Sequence, residues 1–387
     1  MHDQATPVPA TLFRSFWLAG FESACQITRT GRRLDMIAET QHDAQASGDY
    51  ARIRELGMRA ARDGIRWPLI ERAGRFSFAS LAPMAAAARQ QGIQVIWNIC
   101  HYGWPTDIDI FAPAFVDRFA RFCRATADFF AAQSDEVPFY TPINEISFLA
   151  WAAGSQAYIY PCQRGRGLEL KRQLVRAAIA GCEAIWDVDP RARFVHVDPL
   201  IHVVTPRGRP ELADAAAAQR AGQFEAWDML AGRAHPDLGG APRYLDVMGL
   251  NFYHANQWEH PGDDAEARLR WEDTPRDKRW VPLHQLLAEV YERYRRPLFI
   301  SETSHFGIGR GPWIAEIAAE VQLARAAGTP IEGICIYPIL DRPDWDNLEH
   351  WHNSGLWDLR PDANGRLERV LDRAYAAELR RAQAQLA

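Results

Sequence analysis

Short apolar runs alternate with longer segments of helical spacing along nearly the whole chain. Residues 16–20, 64–67, 93–100, 137–145, 193–197, 245–253, 297–302 and 331–340 have the length and the aromatic or β-branched content of buried strands. Between them the apolar positions recur with helical spacing over 50–62, 81–91, 115–132, 168–187, 211–230, 283–294 and 313–327. In the 115–132 segment Phe115, Phe119, Phe122, Phe129 and Phe130 fall on or near one stripe. Eight strands separated by helices predict an α/β protein, a (β/α)8 TIM barrel. No Pro/Gly/Ser-rich linker divides the chain, so 1–387 is expected to be a single domain, with 1–11 a flexible N-terminal extension. The polar stretch 260–278 is expected to be a long surface loop.

Composition narrows the function without naming it. The chain has 387 residues, 44 basic and 49 acidic, for a net charge of −5. That balance argues against nucleic acid or a membrane surface as partner. Six cysteines are scattered without a Cys-x-x-Cys pair, and packing as small hydrophobes is the simplest role for them. No basic region followed by an apolar run opens the chain, and no stretch is apolar enough to span a bilayer, so a cytoplasmic setting is expected. Fourteen tryptophans, many near predicted strand ends, offer flat faces that suit sugar rings, although a buried Trp is usually core.

Two strand ends carry a glutamate: Glu145 closes the fourth run and Glu302 the seventh. In a parallel barrel all strand C-termini open on one face, so both carboxylates would look into one mouth. Cleavage of a glycosidic bond needs a proton for the leaving oxygen and a base or nucleophile across the ring, roles that two carboxyls fill together. Either glutamate alone would read better as a helix-start charge or an ion-pair partner. Their joint placement favours catalysis.

With these motifs the chain resembles the retaining β-glycosidases of glycoside hydrolase family 1. Asn144-Glu145 resembles that family's strand-four Asn-Glu pair, and Ser301-Glu302-Thr303-Ser304 its strand-seven Glu motif. The opening run ending in Gln26, the segment Gly64-Ile65-Arg66-Trp67, the turn His101-Tyr102-Gly103-Trp104-Pro105 and the run Gly249-Leu250-Asn251-Phe252-Tyr253 extend the resemblance over most of the chain. The resemblance implies that Glu145 is the acid/base, Glu302 the nucleophile, and Asn144 the partner of the 2-hydroxyl. It implies that Arg66 and Tyr253 orient Glu302, and that Gln26 and His101 bind the sugar in the cleavage subsite. It further implies no cofactor, no metal, and a small-molecule glycoside or oligosaccharide as substrate, with a homo-oligomer left open. The sequence departs from the family pattern at Ile146, at Thr303-Ser304 and at Tyr337, where a Trp platform is expected. After Tyr337 two registers fit the family's sugar-binding turn, one using Asp341 and the other 346–349; Trp345 and Glu349 are candidate contacts to outer hydroxyls. These departures bear on the choice of sugar rather than on the reaction.

Three other readings share the barrel. One is a transglycosidase with the same two carboxylates. Another is a metal-dependent hydrolase, given histidines at or near several strand exits (His101, His196, His202, His254, His305), although no His-x-His or His-Glu-x-x-His spacing is present. The last is a catalytically silent carbohydrate-binding barrel, against which both intact glutamates argue.

Overall fold

The computed structural model describes residues 12–262 and 265–386; the expected extension 1–11 lies outside them. Eight parallel strands close a barrel: β1 Trp17–Gly20, β2 Ala60–Gly64, β3 Gln94–Cys100, β4 Phe139–Ile143, β5 Arg193–Pro199, β6 Val247–Asn251, β7 Leu298–Thr303 and β8 Ile331–Ile336. They pair in chain order, and β1 closes the ring by pairing with both β2 and β8. The outer layer is α1 His42–Glu55, α2 Ala82–Gln91, α3 Pro113–Ala131, α4 Gly167–Trp186, α5 Ala213–Ala221, α6 Glu225–Leu230, α7 Leu283–Tyr294, α8 Arg310–Ala326 and α9 Arg373–Gln385. A hairpin, β9 Trp357–Pro361 with β10 Leu367–Leu371, precedes α9 and was not anticipated from the sequence.

The apolar patterning sorts side chains into two cores. One lies between strands and helices, where the α3 stripe buries Phe115, Phe119 and Phe122 and Phe122 stacks on Trp67 with ring centroids 5.1 Å apart. The other fills the barrel with inward side chains including Leu18, Ile96, Val195, Val247 and Phe299. Phe13, ahead of β1, packs into this inner core against Phe139 and Phe299. Near the mouth Tyr337 needs the bare backbone of Gly20: a Cβ there would lie 2.1 Å from the Tyr337 ring.

One predicted element is displaced. The helical spacing over 50–62 runs on through Ala60 and Ala61, but α1 ends at Glu55 and the chain turns at Gly57, whose φ is +80°. The second strand is therefore Ala60–Gly64, and 64–67 is the exit from it. A strand carrying Arg62 and Asp63 side by side has no apolar run to announce it.

Candidate active site

The ends of seven barrel strands deliver side chains to one cavity of about 720 Å³ at the C-terminal mouth, with Glu145 and Glu302 both in its wall. Glu302 lies near the end of β7, where the pairing with β6 shifts register between Ile300 and Glu302. Such an irregularity re-aims a side chain that regular pairing would direct elsewhere. Each of its carboxylate oxygens receives a donor: Arg62 Nη1 at 3.0 Å on Oε1 and the Tyr253 hydroxyl at 2.7 Å on Oε2. Burial and the neighbouring carboxylates hold the Tyr253 hydroxyl well above its usual pKa, so it remains a donor.

Glu145 follows β4 with φ of +45°, a left-handed conformation that costs a non-glycine residue on the order of 1 kcal/mol. Its backbone N–H donates to the Val197 carbonyl at 3.1 Å, and Asp198 at the end of β5 receives Ser147 N–H and Ser147 Oγ, each at 3.0 Å. These bonds pin the turn that carries the carboxyl. Asn251 Nδ2 donates to Glu145 Oε1 at 2.8 Å, and the Tyr102 hydroxyl donates to Oε2. Among the described residues no cation pairs with Glu145. Burial, and then the charge of Glu302, push its carboxyl up to about 8. One carboxyl is thus stabilised with its proton at neutral pH, while the other sits in a cradle of donors.

The two are wired together. Arg62, fully buried, also donates from Nη2 to Asn144 Oδ1 at 2.8 Å. That fixes the Asn144 amide, whose Nδ2 donates to the Tyr102 hydroxyl at 3.1 Å and lies 3.2 Å from His101 Nε2. Burial, then Arg62 and Arg342, depress the His101 pKa well below the ordinary value, so the ring is neutral. With Nε2 accepting from Asn144, Nδ1–H donates to Ser23 Oγ at 2.8 Å. Around this centre Glu22, Tyr337, Arg342 and Trp345 line the cavity, with Arg342 Nε 3.4 Å from Glu22 Oε2. Phe148, Trp151, Trp258 and Phe306 give the outer wall an aromatic character.

Of the residues expected from the sequence, Glu145, Glu302, His101, Tyr253, Tyr337 and Trp345 line this cavity, and Asn144 lies buried directly behind it. Three are elsewhere. Arg66 pairs with Asp35 at 3.0 Å and Asp43 at 2.8 Å, and the arginine on Glu302 is Arg62, four residues before Arg66, because β2 starts earlier. Gln26 is buried beyond the strand exit, outside the cavity lining, and Glu22 faces the cavity instead. Glu349 is exposed on its turn; neither register of that segment supplies a carboxylate, since Asp341 is buried accepting from Ser354 N–H at 2.9 Å. The segment contributes Arg342 and Trp345. Sequence reasoning also passed over Tyr102, Asn251 and Asp198. Asn251 and Tyr102 stand inside motifs already singled out; their contacts to Glu145 join positions 106 and 43 residues apart and had no local signal.

Solved structures of a β-glucosidase share this fold. The family 1 β-glucosidase from Thermotoga maritima superposes with a TM-score of 0.74 at 16% identity, covering 97% of this chain and 99% of that one. Its complex with glucoimidazole gives 0.75 at 16% identity, and that with castanospermine 0.74 at 17%, each with the same coverage of 97% and 99%. No protein-family model and no curated protein matches the chain. The (β/α)8 barrel is therefore that of the family 1 β-glucosidases, at an identity where the likeness carries the fold.

Proposed function

We propose that the protein is a retaining β-glycosidase that hydrolyses small β-linked glycosides without a cofactor. The observation that carries this reading is the contrast between the two carboxyls: Glu145 without a cation and pushed up to about 8, Glu302 between Arg62 and Tyr253. In the first step Glu145 gives its proton to the glycosidic oxygen as Glu302 attacks the anomeric carbon, and the bond to the aglycone breaks. The glycosyl-enzyme no longer carries the Glu302 charge, so the Coulombic push on Glu145 falls away and its carboxylate becomes stable as a base. In the second step it takes a proton from water, whose oxygen displaces Glu302 from the anomeric carbon.

Glu22, His101, Tyr337 and Arg342 would meet the outer hydroxyls of the sugar, and the aromatic wall the aglycone. The sugar-mimicking inhibitors held by the structural neighbours support a ligand of that size. Six unpaired cysteines suit the cytoplasmic setting expected from the sequence, and no described helix is long and apolar enough to cross a membrane.

The test is a panel of nitrophenyl glycosides followed by NMR of the first-formed anomer, with an activated 2-fluoro glycoside to trap the intermediate. A β-anomer and a mass increment on the peptide holding Glu302 are expected. An α-anomer overturns retention. Turnover lost to chelator, restored by zinc and unaffected by Glu302→Gln overturns the two-carboxylate mechanism.

A further inference from the structure

Outside the carboxylate pair, three metal-type side chains converge on the rim of the mouth from three separate segments. His254 follows β6, His305 follows β7, and Glu272 lies in the connection before α7. One donor atom from each lies within 4.8 Å of the others. The two imidazole rings face one another with centroids 3.9 Å apart, and His305 Nε2 is 2.9 Å from Glu272 Oε1.

The trio is held from outside. Trp271, beside Glu272, packs edge-on against Trp313 at 5.2 Å and against His305 at 5.4 Å. Arg276 grips Glu316 through two bonds and anchors the same segment to α8. His305 Nδ1 accepts the Phe306 N–H at 2.7 Å, so here Nε2 carries the proton that meets Glu272; an ion at Nε2 would move that proton to Nδ1, where the Phe306 carbonyl oxygen lies 3.1 Å away. A backbone carbonyl behind an imidazole is the usual way a ligating ring is fixed in its tautomer.

The remaining nitrogen is the informative one. His254 Nδ1 is buried and has no hydrogen-bond partner among the described residues. Burying an imidazole nitrogen unpaired costs about 1–3 kcal/mol, which a phenyl ring in the same packing would not incur. A carboxylate and two imidazoles around one point supply the nitrogen-rich, mixed donor set of a borderline cation, whereas calcium and magnesium select clusters of oxygens.

We propose that His254, Glu272 and His305 form a zinc-class divalent cation site that staples the 265–281 connection to the barrel rim, distinct from the two catalytic carboxylates. Tetrahedral zinc with bonds of about 2.0–2.1 Å sets its donors roughly 3.3 Å apart. The ion would therefore spread the His305–Glu272 contact and draw His254 inward. Three protein ligands leave its fourth position for water or a substrate hydroxyl.

The experiment uses tag-free, chelator-stripped full-length protein titrated with zinc sulfate. It is read by calorimetry, by elemental analysis after gel filtration, and by anomalous scattering at the zinc edge. One equivalent per chain, an anomalous peak among the three side chains and a zinc-dependent rise in Tm are expected. Glu272→Gln and His254→Phe keep the size and packing of each group and should each weaken uptake by roughly 100-fold. The proposal is overturned by no saturable uptake, by uptake that survives both variants, by a peak elsewhere, or by calcium competing equally. None of these readouts depends on glycoside turnover, so the outcome is independent of the function proposed above.

Discussion

Arg62 and Asp63 are consecutive residues of β2, and the pleat sends them to opposite sides of the barrel wall. Both are fully buried, and both anchor a network of charges. Asp63 faces the helical layer, where its Oδ2 receives the Tyr50 hydroxyl at 2.5 Å and His42 Nε2 at 2.9 Å. His42 Nδ1 bonds Asp49 at 2.9 Å, Asp49 takes two bonds from Arg369 at 2.8 Å, and Phe21 stacks on the His42 ring. Every charge there finds its partner inside the protein. The inward network from Arg62 runs directly to Glu302 and through Asn144 and Tyr102 to Glu145, so it ends on two carboxyls that face a cavity. A closed network stabilises the fold. One left open on one side keeps acceptors and a proton available for a ligand.

The largest effect that would break this contrast is on the open side. Glu302→Gln should lower kcat on nitrophenyl glycosides by about 10⁴-fold, near 5 kcal/mol of transition-state stabilisation; unchanged kcat refutes the assignment. Arg62→Met against Asp63→Asn sharpens it. Arg62→Met should lower kcat by at least about 100-fold and also destabilise, because it strands a buried carboxylate. Asp63→Asn should cost about 3 kcal/mol in urea unfolding yet leave kcat within roughly threefold. If both variants lose activity equally, the two sides of β2 are not separate systems.

A smaller, pH-dependent effect belongs to Glu145. It must be protonated for the first step, so kcat/KM should fall on the alkaline side with a limb near 8. The Tyr102 hydroxyl donates to the charged form, and Tyr102→Phe should move that limb upward while kcat drops about tenfold. A limb that moves down, or not at all, removes Tyr102 from a positioning role.

The smallest effect concerns the closed network. Burial would depress the His42 pKa, but Asp63 and Asp49 outweigh it and raise it from 6.5 to about 9. A raised folded-state pKa stabilises fully below pH 6.5 and is lost as pH climbs through 9, in total at most about 3 kcal/mol. Tm should decline across that window in the native chain and stay flatter in His42→Gln.

Strands that announce themselves by an apolar run were legible in the sequence, and so were the glutamates at the exits of β4 and β7. The strand that mattered most for orienting Glu302 was not. β2 carries its charges in the middle, and the helical spacing before it runs past Gly57 into Ala60 and Ala61. That shift accounts for naming Arg66 where Arg62 stands. The sugar-side turn after β8 was illegible for another reason. Asp341, Asp346 and Glu349 are all plausible by spacing, and only the three-dimensional path separates Trp345 from Glu349 and brings Arg342 to the cavity. Contacts such as Tyr102 on Glu145 arise because adjacent strands share a mouth, which no local pattern encodes.

Phe13 stops the far end of the barrel. With it wedged against Phe139 and Phe299, the interior below Arg62 is a column of hydrocarbon that forms a floor beneath the cavity at the mouth. On the proposed mechanism solvent deuterons would reach Glu145 through the same opening as the aglycone, and a bulky leaving group lodged there would shield the acid's proton from exchange until the bond had broken.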